Sequence, residues 1–368
     1  MKQAQELLRE RKERVMKAIR LEKPDRTPVI LMADSFCANH MGVKLADFCS
    51  DFKISNQTML NSMKALGDVD GINSAFAAGK LFALSFMTKV KLPGRELPDN
   101  ALWQLDEQER MTTEDYDTIL DKGWRPFMRE FVTKRLGVDL DELMGQVAEA
   151  PHLVKNFEDA GYMVYARIVT ITVNEYLGGG RSMSKFVRDL YKIPDKVEAV
   201  LDVIQKESLE SLRNQIRHAK APIVFISPAR GASEFFTPKL WERFVWKYLR
   251  QTAETVIDEG AVADLHIDAN WERDLDFFRS LPKGKCVFET DSTTDIYKIK
   301  AALGDHMCIK GDVPATKLTL GTPDEVYDYC TKLIRDMGQG FILSSGCSIP
   351  PNAKVENVKA MIAAASGK

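Results

Sequence analysis

The sequence predicts an α/β protein, a (β/α)₈ TIM barrel carrying an N-terminal helical extension and a hairpin/helix insertion over the barrel mouth. Three observations carry this. Eight short, nearly continuous apolar runs recur along the chain, as parallel strands buried on both faces require. Amphipathic stretches separate them, and strand–helix alternation implies parallel βαβ units. The 368 residues suit one large barrel domain spanning 1–368.

The runs are 28–33 (PVILMA), 69–73 (VDGIN), 162–170 (YMVYARIVT), 222–227 (PIVFIS), 262–267 (VADLHI), 285–289 (KCVFE), 307–311 (MCIKG) and 340–344 (GFILS). Between them, KLWERFVWKYLRQTAETVIDEG (239–260) reads as a helix with Phe244, Tyr248 and Val256 inward and Gly260 as its stop. PDEVYDYCTKLIRDMGQG (323–340) opens on Pro323 and closes near Gly338, the punctuation a helix uses. MKQAQELLRERKERVMKAIR at the start is charged and helical in pattern, with no apolar core of a secretory signal. The stretch 74–161 reads as an insertion between the second and third strands. In it, TKVKLPGRELPDNALWQLDEQ (88–108) alternates and turns at a Pro-Gly pair, as a hairpin does, and helices follow. Placed over the mouth, it would exclude water from a site there. LGGGR (177–181) lacks the GK[ST] of a phosphate loop and is read as a flexible turn.

With 45% hydrophobic and 28% charged residues, the composition is that of an ordinary globular protein, and a formal net charge of −2 gives no footprint for nucleic acid or an anionic membrane. No apolar run reaches membrane-spanning length. Six scattered cysteines without a CxxC pair suggest reduced thiols and a cytoplasmic setting. Fifteen methionines suit a soft core, or an apolar channel for an aromatic substrate.

In such barrels the chemistry collects at the C-terminal ends of the strands. Those ends carry Asp34, Asn73, Thr170–Thr172, Arg230, His266–Asp268, Glu289–Asp291, Lys310–Asp312 and Ser344–Cys347. Imidazole, carboxylates and a thiol gathered on one rim would make a zinc-type site. His266, Asp268, Glu289 and Cys347 are the candidate ligands. Glu289, Asp34 and Asp291 are candidates for acid, base or orienting roles, and Met32, Asn73 and Arg230 for substrate contact. His40 and His306 are further potential ligands, but His306 precedes a strand and so sits at the other rim. DLHIDA (264–269) departs from the DxHxxG signature of cobalamin-binding domains at Ala269, and no glycine-rich loops follow.

RKERVMKAIRLEKPDRTPV (11–29), ISPARGASEFFTPKLWERFV, KAALGDHMCIKGDVPATKLTLGTPDEV and GFILSSGCSIPPNAKVENVKAM occur in order. Through these blocks the chain resembles the uroporphyrinogen decarboxylase superfamily over nearly its full length. The decarboxylases of that superfamily carry an arginine-rich MRQAGR segment after the first strand, and LMADSFCANHMG (31–42) has no arginine. The resemblance is thereby drawn towards the corrinoid-dependent methyltransferase branch. In its coenzyme M enzymes zinc is held by a HxC pair, an intervening Glu and a distant Cys. His266, Glu289 and Cys347 match, while Asp268 stands where the first Cys belongs. A carboxylate there makes a harder, more Lewis-acidic site and argues against thiol alkylation. The resemblance implies a zinc-dependent transfer of methyl between a small methylated substrate, such as a phenyl methyl ether, and the cobalt of a separate corrinoid protein. Glu289 is expected to leave the metal when substrate arrives. The alternatives are methyl transfer from a corrinoid to a thiol or folate, a decarboxylase-like lyase, and a non-catalytic partner of a corrinoid protein.

Overall fold

The computed structural model describes residues 2–367. Eight strand positions form the ring: β1 (Ile30–Leu31), β2 (Gly71–Ile72), β3 (two runs, Met163–Val164 and Ile168–Ile171), β4 (Ile223–Ser227), β5 (Val262–Ile267), β6 (Cys286–Thr290), β7 (Cys308–Val313) and β8 (Phe341–Ser345). Every pairing between neighbours is parallel, from β1 with β2 and β2 with Met163–Val164, then from Ile168–Ile171 through β4, β5, β6 and β7 to β8. A bridge between Val29 and Leu343, with Leu343 N–H donating to Pro28 O at 2.9 Å, brings β8 back to β1.

The third strand departs from the single run expected over 162–170. Its first half pairs with β2 and its second with β4, with residues 165–167 between. A change of partner along one strand is a matter of ring closure, which an apolar pattern does not encode. The other runs fall within a few residues of expectation, with β1 and β2 shortened to two residues each.

Side chains alternate between the two faces of each strand. Ile30, Ile223, Phe225, Val262, Val287, Cys308 and Ile342 point inward to one buried cluster. Leu31, Val224, Ala263, Leu265, Phe288, Ile309 and Leu343 point outward to the larger core under the helices. The N-terminal helix Lys2–Ile19 closes the lower end, adding Leu8, Val15, Ala18 and Ile19 to the inner cluster. Buried Asp70, at the foot of β2, anchors it: its carboxylate takes Arg14, Arg26 at 2.8 Å and the backbone N–H of Val29 at 2.8 Å.

Between β2 and β3 lie an antiparallel hairpin, Lys89–Lys91 with Gln104–Asp106, and the helices Thr113–Lys122, Trp124–Glu130, Leu140–Ala148 and Ala150–Asp159. The 239–260 stretch is helical with Phe244, Tyr248 and Val256 buried, but a π-helical turn at Glu242–Trp246 interrupts it, and the last segment ends at Asp258. LGGGR is not a turn: it lies in the helix Asn174–Arg181. A Cβ on Gly179 would stand 1.6 Å from the carbonyl oxygen of Phe86, so glycine there lets the segment before the hairpin lie against the helix backbone.

Candidate metal centre

Strand parity builds the site. On β5, Asp264 and His266 both face inward, and Asp268 continues the same face just past the strand end. The β5–β6 register sets His266 opposite Glu289, and the β6–β7 register sets Glu289 opposite Lys310. Cys347 reaches the same rim from the turn after β8. Three of the expected ligands meet: a nitrogen of His266, an oxygen of Asp268 and the sulfur of Cys347 all lie within 4.8 Å of one another. His266 Nε2 is 3.3 Å from Asp268 Oδ1 and 3.9 Å from Cys347 Sγ. For tetrahedral zinc at ordinary bond lengths those edges are about 3.4 and about 3.6 Å. The donor set and its spacing therefore fit such an ion.

Glu289 is brought to His266 by the opposite nitrogen. Its Oε1 is 3.5 Å from Nδ1, and it is not one of the three converging groups. Its Oε2 is 2.9 Å from Lys310 Nζ. His266 is buried against the ring of Phe225, with centroids 4.8 Å apart. Burial opposes its imidazolium, yet the carboxylates of Glu289 and Asp268 outweigh this and hold the ring pKa well above its usual value. Burial would raise the Glu289 carboxyl, but Lys310 and His266 draw it down to about 2. Asp264, also buried, is pushed well up by desolvation despite Lys310 nearby.

The remaining candidates divide. Asp34 opens the helix Asp34–His40 after β1; its Oδ1 accepts from Ser35 N–H at 2.7 Å, and burial raises its pKa. Asp291 is occupied by backbone, accepting from Ala269 N–H at 2.9 Å and Thr293 N–H at 2.8 Å. It thus ties the loop bearing Asp268 to the loop after β6. Trp271 pins the same loop by donating its indole N–H to Asp268 O at 2.8 Å. Asn73 accepts from Lys310 at 3.2 Å. Met32 packs beside the inner cluster. Arg230 is held by Glu175, whose Oε2 is 3.0 Å from its Nε, and lies over the Phe86 ring. His40 meets Ser62 Oγ and His306 meets Leu281 O, and neither is among the converging groups.

Sequence reasoning gave no role to Lys310, Asp264 or Phe225. The signal was available: each sits an even number of residues from an inward position on its own strand. A cleft of about 600 Å³ between the hairpin and residues 136–143 holds none of these groups. Its charges pair among themselves, Lys91 with Asp106 at 3.2 Å and Lys80 with Glu142 at 3.6 Å.

Comparison with known proteins agrees with this architecture. A solved structure of a methyltransferase from Methanosarcina mazei superposes with a TM-score of 0.73 over 96% of this chain and 97% of its own, at 17% identity, a likeness of fold. Uroporphyrinogen decarboxylase from Coxiella burnetii is 25% identical over 195 residues, 51% of this chain and 53% of the relative, so the match spans about half of that protein. The enzyme from Chlorobium phaeobacteroides is 24% identical over 271 residues, 67% of this chain and 73% of its own. The uroporphyrinogen decarboxylase (URO-D) family model matches residues 140–367, the stretch that carries β3 to β8 and every group around His266. With more than half of its length under that model, the chain belongs to the uroporphyrinogen decarboxylase family.

Proposed function

We propose that this protein is a zinc-dependent methyltransferase that takes a methyl group from a small methylated substrate, such as a phenyl methyl ether, and passes it to a corrinoid carried by a separate protein. The observation that carries this reading is the convergence of His266 Nε2, Asp268 Oδ1 and Cys347 Sγ at one barrel rim. These three side chains would hold the zinc, and zinc so held supplies a Lewis acid for negative charge developing on a departing oxygen.

The chain's own residues do the rest. Glu289 faces His266 Nδ1 at 3.5 Å, and its charge on that side orients the ring so that Nε2 faces the other two donors. Phe225, stacked on that ring, and Met32 give the inner wall an apolar surface suited to an aryl or alkyl group. As the methyl carbon–oxygen bond breaks, its electron pair stays on oxygen; a partner corrinoid in the Co(I) state would supply the pair for the new cobalt–carbon bond. Asp34, its pKa raised by burial, is the group suited to return a proton to that oxygen. Asn73 and Arg230 support this frame through Lys310 and Glu175 rather than as free substrate anchors. Residues 74–161 act as one insertion that shields the mouth from water.

Asp268 in place of a cysteine favours an oxygen leaving group over a thiol acceptor. The curated relatives favour a second reading, decarboxylation, but the segment after β1 (Leu31–Gly42) has no arginine for substrate carboxylates. Elemental analysis of the purified protein, with a His266→Ala control, separates the two. About one zinc per chain, lost in the variant, followed by methyl transfer to added corrinoid protein, supports the proposal. Metal-free protein that turns over a carboxylate substrate overturns it.

No helix among the described residues is long and apolar enough to cross a membrane.

A further inference from the structure

Beneath His266 the barrel interior holds a buried cation between two buried carboxylates. Lys310 Nζ is 2.9 Å from Glu289 Oε2 and 3.6 Å from Asp264 Oδ2, and Lys310, Glu289 and Asp264 are all 0% exposed. Asn73 Oδ1 lies 3.2 Å from the same ammonium, and the ring of Tyr165 faces it at 4.2 Å. Removing an ammonium from water is costly unless its partners are close and fixed. Here the three residues stand on adjacent strands in register, so the backbone sets their spacing.

Glu289 is therefore engaged at both oxygens, by Lys310 at Oε2 and by His266 Nδ1 at Oε1. For Glu289 to cross to the Nε2 side and join Asp268 and Cys347, it would have to abandon both contacts. Lys310 would then lose its nearest carboxylate and keep Asp264 at 3.6 Å, with the uncharged Asn73 amide oxygen and Tyr165 ring. That exchange is unfavourable in a low-dielectric interior.

We propose that Lys310 is a positioning residue that holds Glu289 off the metal, so that the centre has three protein ligands and a position left open for substrate. This rests on the metal reading of the same rim and deepens it. Glu289 then acts through His266, as outer carboxylates on metal-bound histidines do. A buried Lys–carboxylate cluster serving only to hold the barrel together would have different consequences for the metal.

The test uses cobalt(II)-loaded protein, whose visible spectrum reports coordination number, titrated with azide as a probe of an open position. Lys310→Met/Asp264→Asn removes the ammonium and the other carboxyl group beside it, and leaves Glu289 free to move. Its cobalt spectrum should change as a carboxylate enters, and its azide affinity should fall at least about tenfold. Lys310→Gln, a milder change, should shift both in the same direction. Asp264→Asn alone keeps the Lys310–Glu289 contact and should leave both as in wild type. If the double variant and Lys310→Gln fold and give the wild-type spectrum and azide affinity, the assignment of Lys310 is overturned while the metal site stands. If wild-type protein binds no cobalt or zinc, both fall together.

Discussion

His266 Nδ1 lies 3.5 Å from Glu289 Oε1, which leaves Nε2 as the nitrogen that meets Asp268 and Cys347. One carboxylate thus decides which face of the imidazole is offered to a metal. The second ring nitrogen of a metal-binding histidine needs such a partner to fix its tautomer and orientation.

Cys347 contributes the softest donor of the three, from an exposed turn. Cys347→Ala should lose most of the bound zinc while far-ultraviolet circular dichroism stays that of the folded barrel. Retained stoichiometric zinc would remove Cys347 from the ligand set.

Asp268 is the hard oxygen donor of the proposed set. Asp268→Cys should soften it, with acceptor preference moving towards thiols when methyl transfer is followed with matched thiol and oxygen substrates. An unchanged preference would count against the role assigned to this carboxylate.

Gly179 faces the Phe86 carbonyl so closely that a methyl group would fall 1.6 Å from its oxygen. Gly179→Ala should push the segment before the hairpin off the helix Asn174–Arg181. Limited proteolysis between residues 82 and 110 should accelerate, with little change in the cobalt spectrum. Equal cleavage rates would show that the contact is dispensable.

Asp70 accepts from Arg14, Arg26 and the Val29 amide in a fully buried position. Asp70→Ala leaves Arg14 with Asp25 at 2.6 Å and Arg26 with Asp68 at 3.6 Å, but takes the acceptor from the buried Val29 amide, and should cost about 1–3 kcal/mol. Urea unfolding followed by tryptophan fluorescence measures it, and a loss below about 1 kcal/mol would be that of a surface pair.

Glu175 is buried beside Arg230, and burial pushes its pKa up to about 7 although Arg230 works against the rise. A carboxyl whose folded pKa exceeds its unfolded value of about 4.3 stabilises the fold fully below that pH. The contribution is lost as pH rises through about 7. Wild-type stability relative to Glu175→Gln should therefore decline between pH 5 and pH 8. A flat or rising difference would mean that the Arg230 pair keeps the carboxylate ionised throughout.

The sequence by itself determined the barrel. Buried parallel strands must be apolar on both faces, so 262–267 and 340–344 announce themselves and match the observed β5 and β8 closely. It also brought the polar groups to one rim, because they cluster just after those runs, and His266, Asp268 and Cys347 converge there. Pairing and approach were decided only in three dimensions. The register that sets His266 against Glu289 and Glu289 against Lys310 is a relation between strands, and no one-dimensional pattern contains it. LGGGR, without a following GK[ST], reads as a turn, yet it lies in a helix where close approach of Phe86 gives Gly179 a reason to be small. Asp291 has the composition of a catalytic acid, but folding commits it to the amides of Ala269 and Thr293. Lys310 has the composition of a surface charge, and only closure of the ring encloses it between two carboxylates.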